Sequence, residues 1–285
     1  MGDSAEPVDA ANNDVTEAAL EVVSEALGLA DQAQPPQKRR ERRPVRRLAS
    51  RAVTRADQRQ AVRRIGTALG DAATRSARAA GAGARATGRG VASGSRWLTA
   101  QVLAMAPRLP VRDLATLRGQ FPDRSPDELA AALIEGAGRA SAAVGVAVGT
   151  WAVVPFLPAA GAEIVTETLA VVGIEIKLVA ELHEVYGMPA SGGVVERMTA
   201  YVGAWANRRG VTLASGGLVI AAGSPVGRQL QRRLAKRTGR SVLSLGPLLT
   251  GAVAGGLLNR RETRKLGRMV RDDLRRRSPH RDGWA

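Results

Sequence analysis

The chain has 285 residues, with 42 Lys and Arg against 26 Asp and Glu, a formal net charge of +16, and no cysteine, which excludes disulfides, thiolate nucleophiles and cysteine-bound metals. Hydrophobic residues make up 45% and aromatics only 3%, so the composition favours closely packed small-residue helices over an aromatic-lined enzyme pocket. The charge is segregated: residues 1–34 carry eight acids and no Lys or Arg, residues 35–118 carry 20 basic and 4 acidic residues, and the remainder carries 22 and 14. An acidic start of this kind does not read as a secretory signal.

In chain order, Asp14 to Leu29 (DVTEAALEVVSEALGL) repeats apolar residues at helical spacing behind an Asp suited to an N-cap, and predicts a short acidic amphipathic helix. Gln34-Pro35-Pro36-Gln37 then breaks the chain, and the run Lys38–Arg47 (KRRERRPVRR) reads as extended or disordered. Between Leu48 and Ala106 an Arg/Ala/Gly background predicts a basic helix, a glycine-weakened middle from Gly81 to Gly94, and a short helix around Trp97. Pro107, Pro110, Pro122 and Pro126 punctuate two short helical pieces. Ser125-Pro126-Asp127-Glu128 then starts a helix cleanly, with Ser as cap, Pro at the first helical position and acids in the first turn.

That helix runs into Ala140–Ala162, which is free of charge and interrupted by Pro155 and Pro158. A second helix, Glu163 to Tyr186, is stopped by Gly187 and Pro189. Two further charge-free apolar stretches follow, Gly210–Gly227 and Ser241–Asn259, on either side of the basic Arg228–Arg240, and an Arg-rich helix, Arg260 to Arg277, closes the body. No segment alternates long enough to argue a sheet, so the expected fold is all-α: a helical bundle with Gly-rich apolar helix pairs behind a largely disordered acidic and basic extension. The expected divisions are 1–34 (acidic tail), 35–108 (basic arm), 109–277 (helical body) and 278–285 (polar tail).

Length permits a membrane span for Ala140–Ala162, whereas Gly210–Gly227 and Ser241–Asn259 have positive residues on both flanks and are rich in Gly and Pro, which argues against simple spans. They read better as a helix pair packed through Gly246, Gly251, Gly255 and Gly256, with Gly251-Ala-Val-Ala-Gly255 allowing close backbone approach. Acids embedded in so apolar a helix as Glu163–Tyr186 must face water, Arg partners or a polar seam, which makes Glu163, Glu167, Glu175, Lys177 and Glu181 the expected seam, with Lys177 and Glu181 an i,i+4 surface pair. Tyr186, Tyr201, Trp151 and Trp205 are read as core aromatics or interface anchors.

Pro155-Phe-Leu-Pro158, the helix ending Glu184-Val-Tyr186-Gly187, and the stretch from Arg237 through Gly246-Pro247, Gly251 and Gly255-Gly256 to Asn259 resemble the EcsC-like family of bacterial helical proteins. The last stretch is also similar to a membrane-associated helical domain of unknown function appended to some bacterial GTPases. The resemblance covers roughly residues 125–277 and implies a helical, membrane-proximal accessory protein without established chemistry. Residues 1–108 depart from it.

Catalytic motifs are missing: there is no Gly-x4-Gly-Lys-Ser/Thr loop, no Gly-x-Ser-x-Gly elbow and no His spacing suited to zinc or di-iron, so no catalytic residue, metal or cofactor is expected. His183 and His280 are poor candidates for chemistry. The functional expectation is a non-enzymatic membrane-associated accessory or adaptor protein on the cytoplasmic side of the membrane, with no small-molecule substrate. Anionic lipid would be held by Arg39, Arg40, Arg42, Arg43, Arg46, Arg47, Arg232, Arg233, Arg260, Arg261, Arg264 and Lys265. The alternative is a soluble protein that uses the same residues on nucleic-acid phosphates. A further expectation is that the acidic segment 1–34 folds back over the basic arm and masks it.

Overall fold

The computed structural model describes residues 6–32, 90–151, 160–214, 217–220 and 248–279. These form seven helices: α1 (Glu6–Gln32), α2 (Gly90–Met105), α3 (Leu114–Gln120), α4 (Pro126–Trp151), α5 (Ala160–Val185), α6 (Val194–Arg209) and α7 (Leu248–Arg277). A short 3-10 turn, Ala106–Arg108, follows α2. One antiparallel hairpin, β1 (Val211–Ala214) with β2 (Gly217–Ile220), is the departure from an otherwise all-α fold.

The helix ends follow local chemistry. Asp113 caps α3 by accepting from Thr116 N at 2.8 Å. At α4 the cap is reciprocal: Ser125 Oγ accepts from Glu128 N, while the Glu128 carboxylate accepts from Ser125 N at 2.9 Å. The end of α5 is a Schellman turn, with Gly187 at φ 67°, Gly187 N donating to Glu184 O and Met188 N to His183 O. Gly210, at φ 64°, stops α6 in the same left-handed conformation.

The most extensive contact is between α4 and α7, which lie antiparallel. A Cβ at Gly145 would come within 3.0 Å of the Gly256 Cα, and one at Gly256 within 2.9 Å of the Ala142 carbonyl oxygen. A Cβ at Gly267 would meet Ile134 at 2.7 Å. Glycines on both helices therefore let the two backbones touch. The far ends are pinned together, with Tyr186 Oη donating to Asp127 at 2.7 Å, Arg275 pairing with Asp127, and Ser278 Oγ donating to the Tyr186 carbonyl.

Several expectations need correction. Residues 6–32 are docked on the body: α1 begins eight residues before Asp14, with Pro7 tolerated in its first turn, and buries Val15, Ala18, Ala19, Val22, Val23, Ala26 and Ala30 against α4 and α5. The core boundary at 108 also moves, because α2 contributes Val102 and Met105. The described residues of Gly210–Gly227 form a hairpin and not a helix. The opening runs of that stretch, Val-Thr-Leu and Leu-Val-Ile around Ser215-Gly216, are β-rich and pair as Val211 with Ile220 and Thr212 with Val219. The helix that meets the α7 glycines is α4. From Leu248 on, the apolar stretch and the Arg-rich helix at the C-terminal end are one 30-residue helix, since nothing between Gly256 and Arg277 breaks it. Helix α6 was not expected at all, and it carries two of the aromatics: Tyr201 and Trp205 are buried, as is Tyr186 in the turn after α5, so none of the three is an interface anchor.

Candidate functional site: a sealed charge seam and an open cationic junction

Charged residues in this bundle fall into two sets with opposite environments. The first is internal. Glu167, Glu175, Lys177 and Glu181 on α5 are all buried, and Glu163 lies on the same helix with its side chain outside the described residues. The Glu175 carboxylate receives Trp205 Nε1 at 2.8 Å and Arg209 Nε at 3.0 Å, pairs with the Arg209 guanidinium terminus, and lies 2.9 Å from Thr263 Oγ1. Thr263 in turn lies 3.0 Å from Ser141 Oγ, and Asn259 Nδ2 donates to Glu167 at 3.3 Å. Four helices therefore meet around one carboxylate, and each buried group finds partners there.

A second internal group centres on Glu181, nearly two turns beyond Glu175 on α5. Arg112 forks onto Glu181, with Nε to Oε1 at 2.8 Å and Nη2 to Oε2 at 2.9 Å, and Lys177 pairs with the same carboxylate. The Lys177–Glu181 pair is buried, not on the surface: the helix face it occupies is covered by the segment that carries Arg112. Burial alone would raise Glu181, but Arg112 and Lys177 outweigh it and hold this carboxyl below the usual range. Burial pulls the Lys177 ammonium down, against the attraction of Glu181. His183 is likewise lowered by burial and by nearby Arg277 and Arg208; its Nδ1 is 2.8 Å from the Val179 carbonyl, which makes it a donor. Among the described residues no cluster of His, Asp and Glu could hold a metal ion.

The second set is open. Gly138 on α4 leaves room for two arginine stems: a Cβ there would meet Arg264 Cγ at 2.9 Å and Arg260 Cγ at 3.4 Å. Both guanidinium groups converge on Glu135, at 3.3 Å from Arg260 and 2.7 Å from Arg264. Beside them Arg139 donates to the Ala30 carbonyl at the end of α1, at 3.3 Å. Three arginines thus share one carboxylate and one carbonyl, and the Nε atoms of Arg139, Arg260 and Arg264 are buried without a hydrogen-bond partner among the described residues. Among the described residues this junction sets three guanidinium groups against one carboxylate.

The outward face of α7 continues the cationic surface. Arg261, Lys265 and Arg268, spaced three and four apart, are exposed and have no ion-pair partner among the described residues, and the exposed apolar side chains Leu257 and Met269 border them. Further along, the balance changes: Arg271 pairs with Asp272, Arg208 and Arg277 with Asp273, and Arg275 with Asp127. Unpaired cations are therefore concentrated in the middle of α7.

Of the expected contact residues, the structure brings Arg260, Arg261, Arg264 and Lys265 onto one helix. Arg39, Arg40, Arg42, Arg43, Arg46, Arg47, Arg232, Arg233 and Gly246 lie outside the described residues, as does the expected masking of the arm by residues 1–34. Gly255 and Gly256 face α4 near Gly145. Sequence reasoning missed Glu135, Gly138, Arg139, Gly145 and Arg268. The spacing of seven between Gly138 and Gly145 was the readable signal, since it places both on one helix face. Arg112 and Arg209 were also missed, and nothing in their local sequence marks them as partners of α5. One described helix, Pro126–Ala147, is long and apolar enough to cross a membrane, and 61% of its apolar window is buried within the bundle.

In comparisons with known proteins no family model matches the chain, and no curated protein or solved structure matches it.

Proposed function

We propose that this protein is a non-enzymatic accessory or adaptor protein, EcsC-like in kind, that docks on the anionic cytoplasmic face of a membrane. The reading rests on one observation: Arg261, Lys265 and Arg268 stand unpaired among the described residues on the outer face of α7, next to exposed Leu257 and Met269. Cations beside an apolar rim suit a headgroup layer, where each well-placed basic residue is worth about 1 kcal/mol and long side chains can snorkel. The glycine and proline landmarks given above for the EcsC-like resemblance agree with it.

Nucleic acid offers the same phosphate chemistry, but the stripe has no aromatic residue on which a base could stack. The test is the triple variant Arg261→Ala/Lys265→Ala/Arg268→Ala, assayed by co-sedimentation with phosphatidylglycerol vesicles. Binding should fall by about 3 kcal/mol, or roughly a hundredfold, at low salt. Unchanged binding removes this face from the account, and a loss confined to duplex DNA transfers it to nucleic acid.

A further inference from the structure

We propose that α1 is a displaceable internal competitor for the anionic surface, docked where lipid headgroups would otherwise reach the cationic junction; this rests on the membrane reading above. Residues 6–32 carry seven acids and no base, so α1 is an anionic helix along its whole length. Its contacts with the body are those an anionic ligand would make. Glu17 pairs with exposed Arg108, the carbonyl of Ala30 at the negative end of the helix takes Arg139, and Asp31 adds its field to Arg112 and Lys177. Arg139 belongs to the junction that sets three guanidinium groups against one carboxylate. Headgroup phosphates would exchange for α1 one anion for another.

The apolar side of the contact suits exchange as well. The buried face of α1 is made of Val and Ala, and it lies over a groove in which Val23 meets Gly173 together with Met105 and Leu109. A buried hydrogen bond between Thr16 and Gln101 joins α1 to α2. The seam around Glu175 and the glycine contact between α4 and α7 use no residue of α1, so those ties stay intact when α1 leaves. Release would remove seven negative charges, free Arg108 and Arg139, and uncover a groove lined by Met105 and Leu109.

Because the chain lacks cysteine, Thr16→Cys/Gln101→Cys offers a single reversible lock between two positions whose native side chains touch, its closure confirmed by loss of free thiol on oxidation. The full-length protein is measured oxidised and reduced, by co-sedimentation with phosphatidylglycerol vesicles. The oxidised form should bind about tenfold more weakly than the reduced form, and Val22→Asp, which ejects the apolar face, should bind more tightly than wild type. Hydrogen exchange on the wild-type protein should show α1 amides losing protection when vesicles are added, while those of α5 and α6 keep it. Equal binding by the oxidised and reduced forms, with α1 still protected on vesicles, makes α1 a fixed part of the core and overturns the proposal while leaving the membrane reading in place. If neither form sediments with vesicles, both fall.

Discussion

The inside and the outside of α7 use similar residues to opposite ends. On its inner face Asn259 and Thr263 join Glu167, Glu175 and Arg209 in a seam where each charge is matched and covered. On its outer face, interleaved with them along the same helix, Arg261, Lys265 and Arg268 stand in water with no carboxylate partner among the described residues. A matched buried charge specifies which helices pack together and in what register; an unmatched exposed one is left for a partner. A mutation that unfolds the bundle should therefore differ from one that abolishes binding.

The largest effect is expected inside. Glu175→Ala strands the buried Arg209 guanidinium and leaves Trp205 Nε1 and Thr263 short of their acceptor, and should cost about 3–5 kcal/mol by chemical denaturation. The Arg261/Lys265/Arg268 triple variant should shift the same denaturation curve by less than about 0.5 kcal/mol, since it touches only solvated side chains. If the triple variant unfolds the protein, or Glu175→Ala leaves it as stable as wild type, the division between the two faces is lost.

Next comes the glycine contact that holds α7 in place. Gly256→Ala puts a methyl group against the Ala142 carbonyl and Val146, neither of which can yield without moving α4, and should cost about 1–3 kcal/mol. Gly28→Ala on α1 meets open space and should be neutral or slightly stabilising on the same assay.

How much of this was legible beforehand depends on the range of the interaction. The Ser125 cap, the Gly187 stop and the acid-bearing α5 are local patterns, and they read directly from neighbouring residues. That acids in an apolar helix need polar company was also readable, from the desolvation cost of Glu175 and Glu181. Which residues supply that company was not, because Arg112 and Arg209 are 69 and 34 residues away from Glu181 and Glu175. The misreading of residues 1–34 has the same cause. The amphipathic helix in that segment was readable from Val and Ala recurring on one face, but its docking on the body was not, because α4 and α5 lie far along the chain. The hairpin after Gly210 was hidden for another reason, since a charge-free apolar stretch does not declare its period when two four-residue strands make up its start.

Smaller effects should follow pH. The lowered pKa of Glu181 means that its contribution is complete above the ordinary glutamate value and is lost as pH falls through the lower folded-state value; Glu181→Gln should flatten stability in that acid range. For His183 the folded pKa is also lowered, so the unfolded chain binds the proton first. Stability should decline as pH drops below about 6.5, where an ordinary histidine titrates, and His183→Gln should remove that part of the slope in a thermal melt series.

The most direct measurement is sedimentation of the wild-type protein with phosphatidylglycerol vesicles, with neutral phosphatidylcholine vesicles and with duplex DNA, across a salt series. The account predicts tight pelleting with the anionic vesicles that weakens as salt rises, little with the neutral ones, and weaker retention on DNA at every salt concentration. Protein that stays in the supernatant with anionic vesicles at low salt, in a preparation shown to be folded, would contradict it.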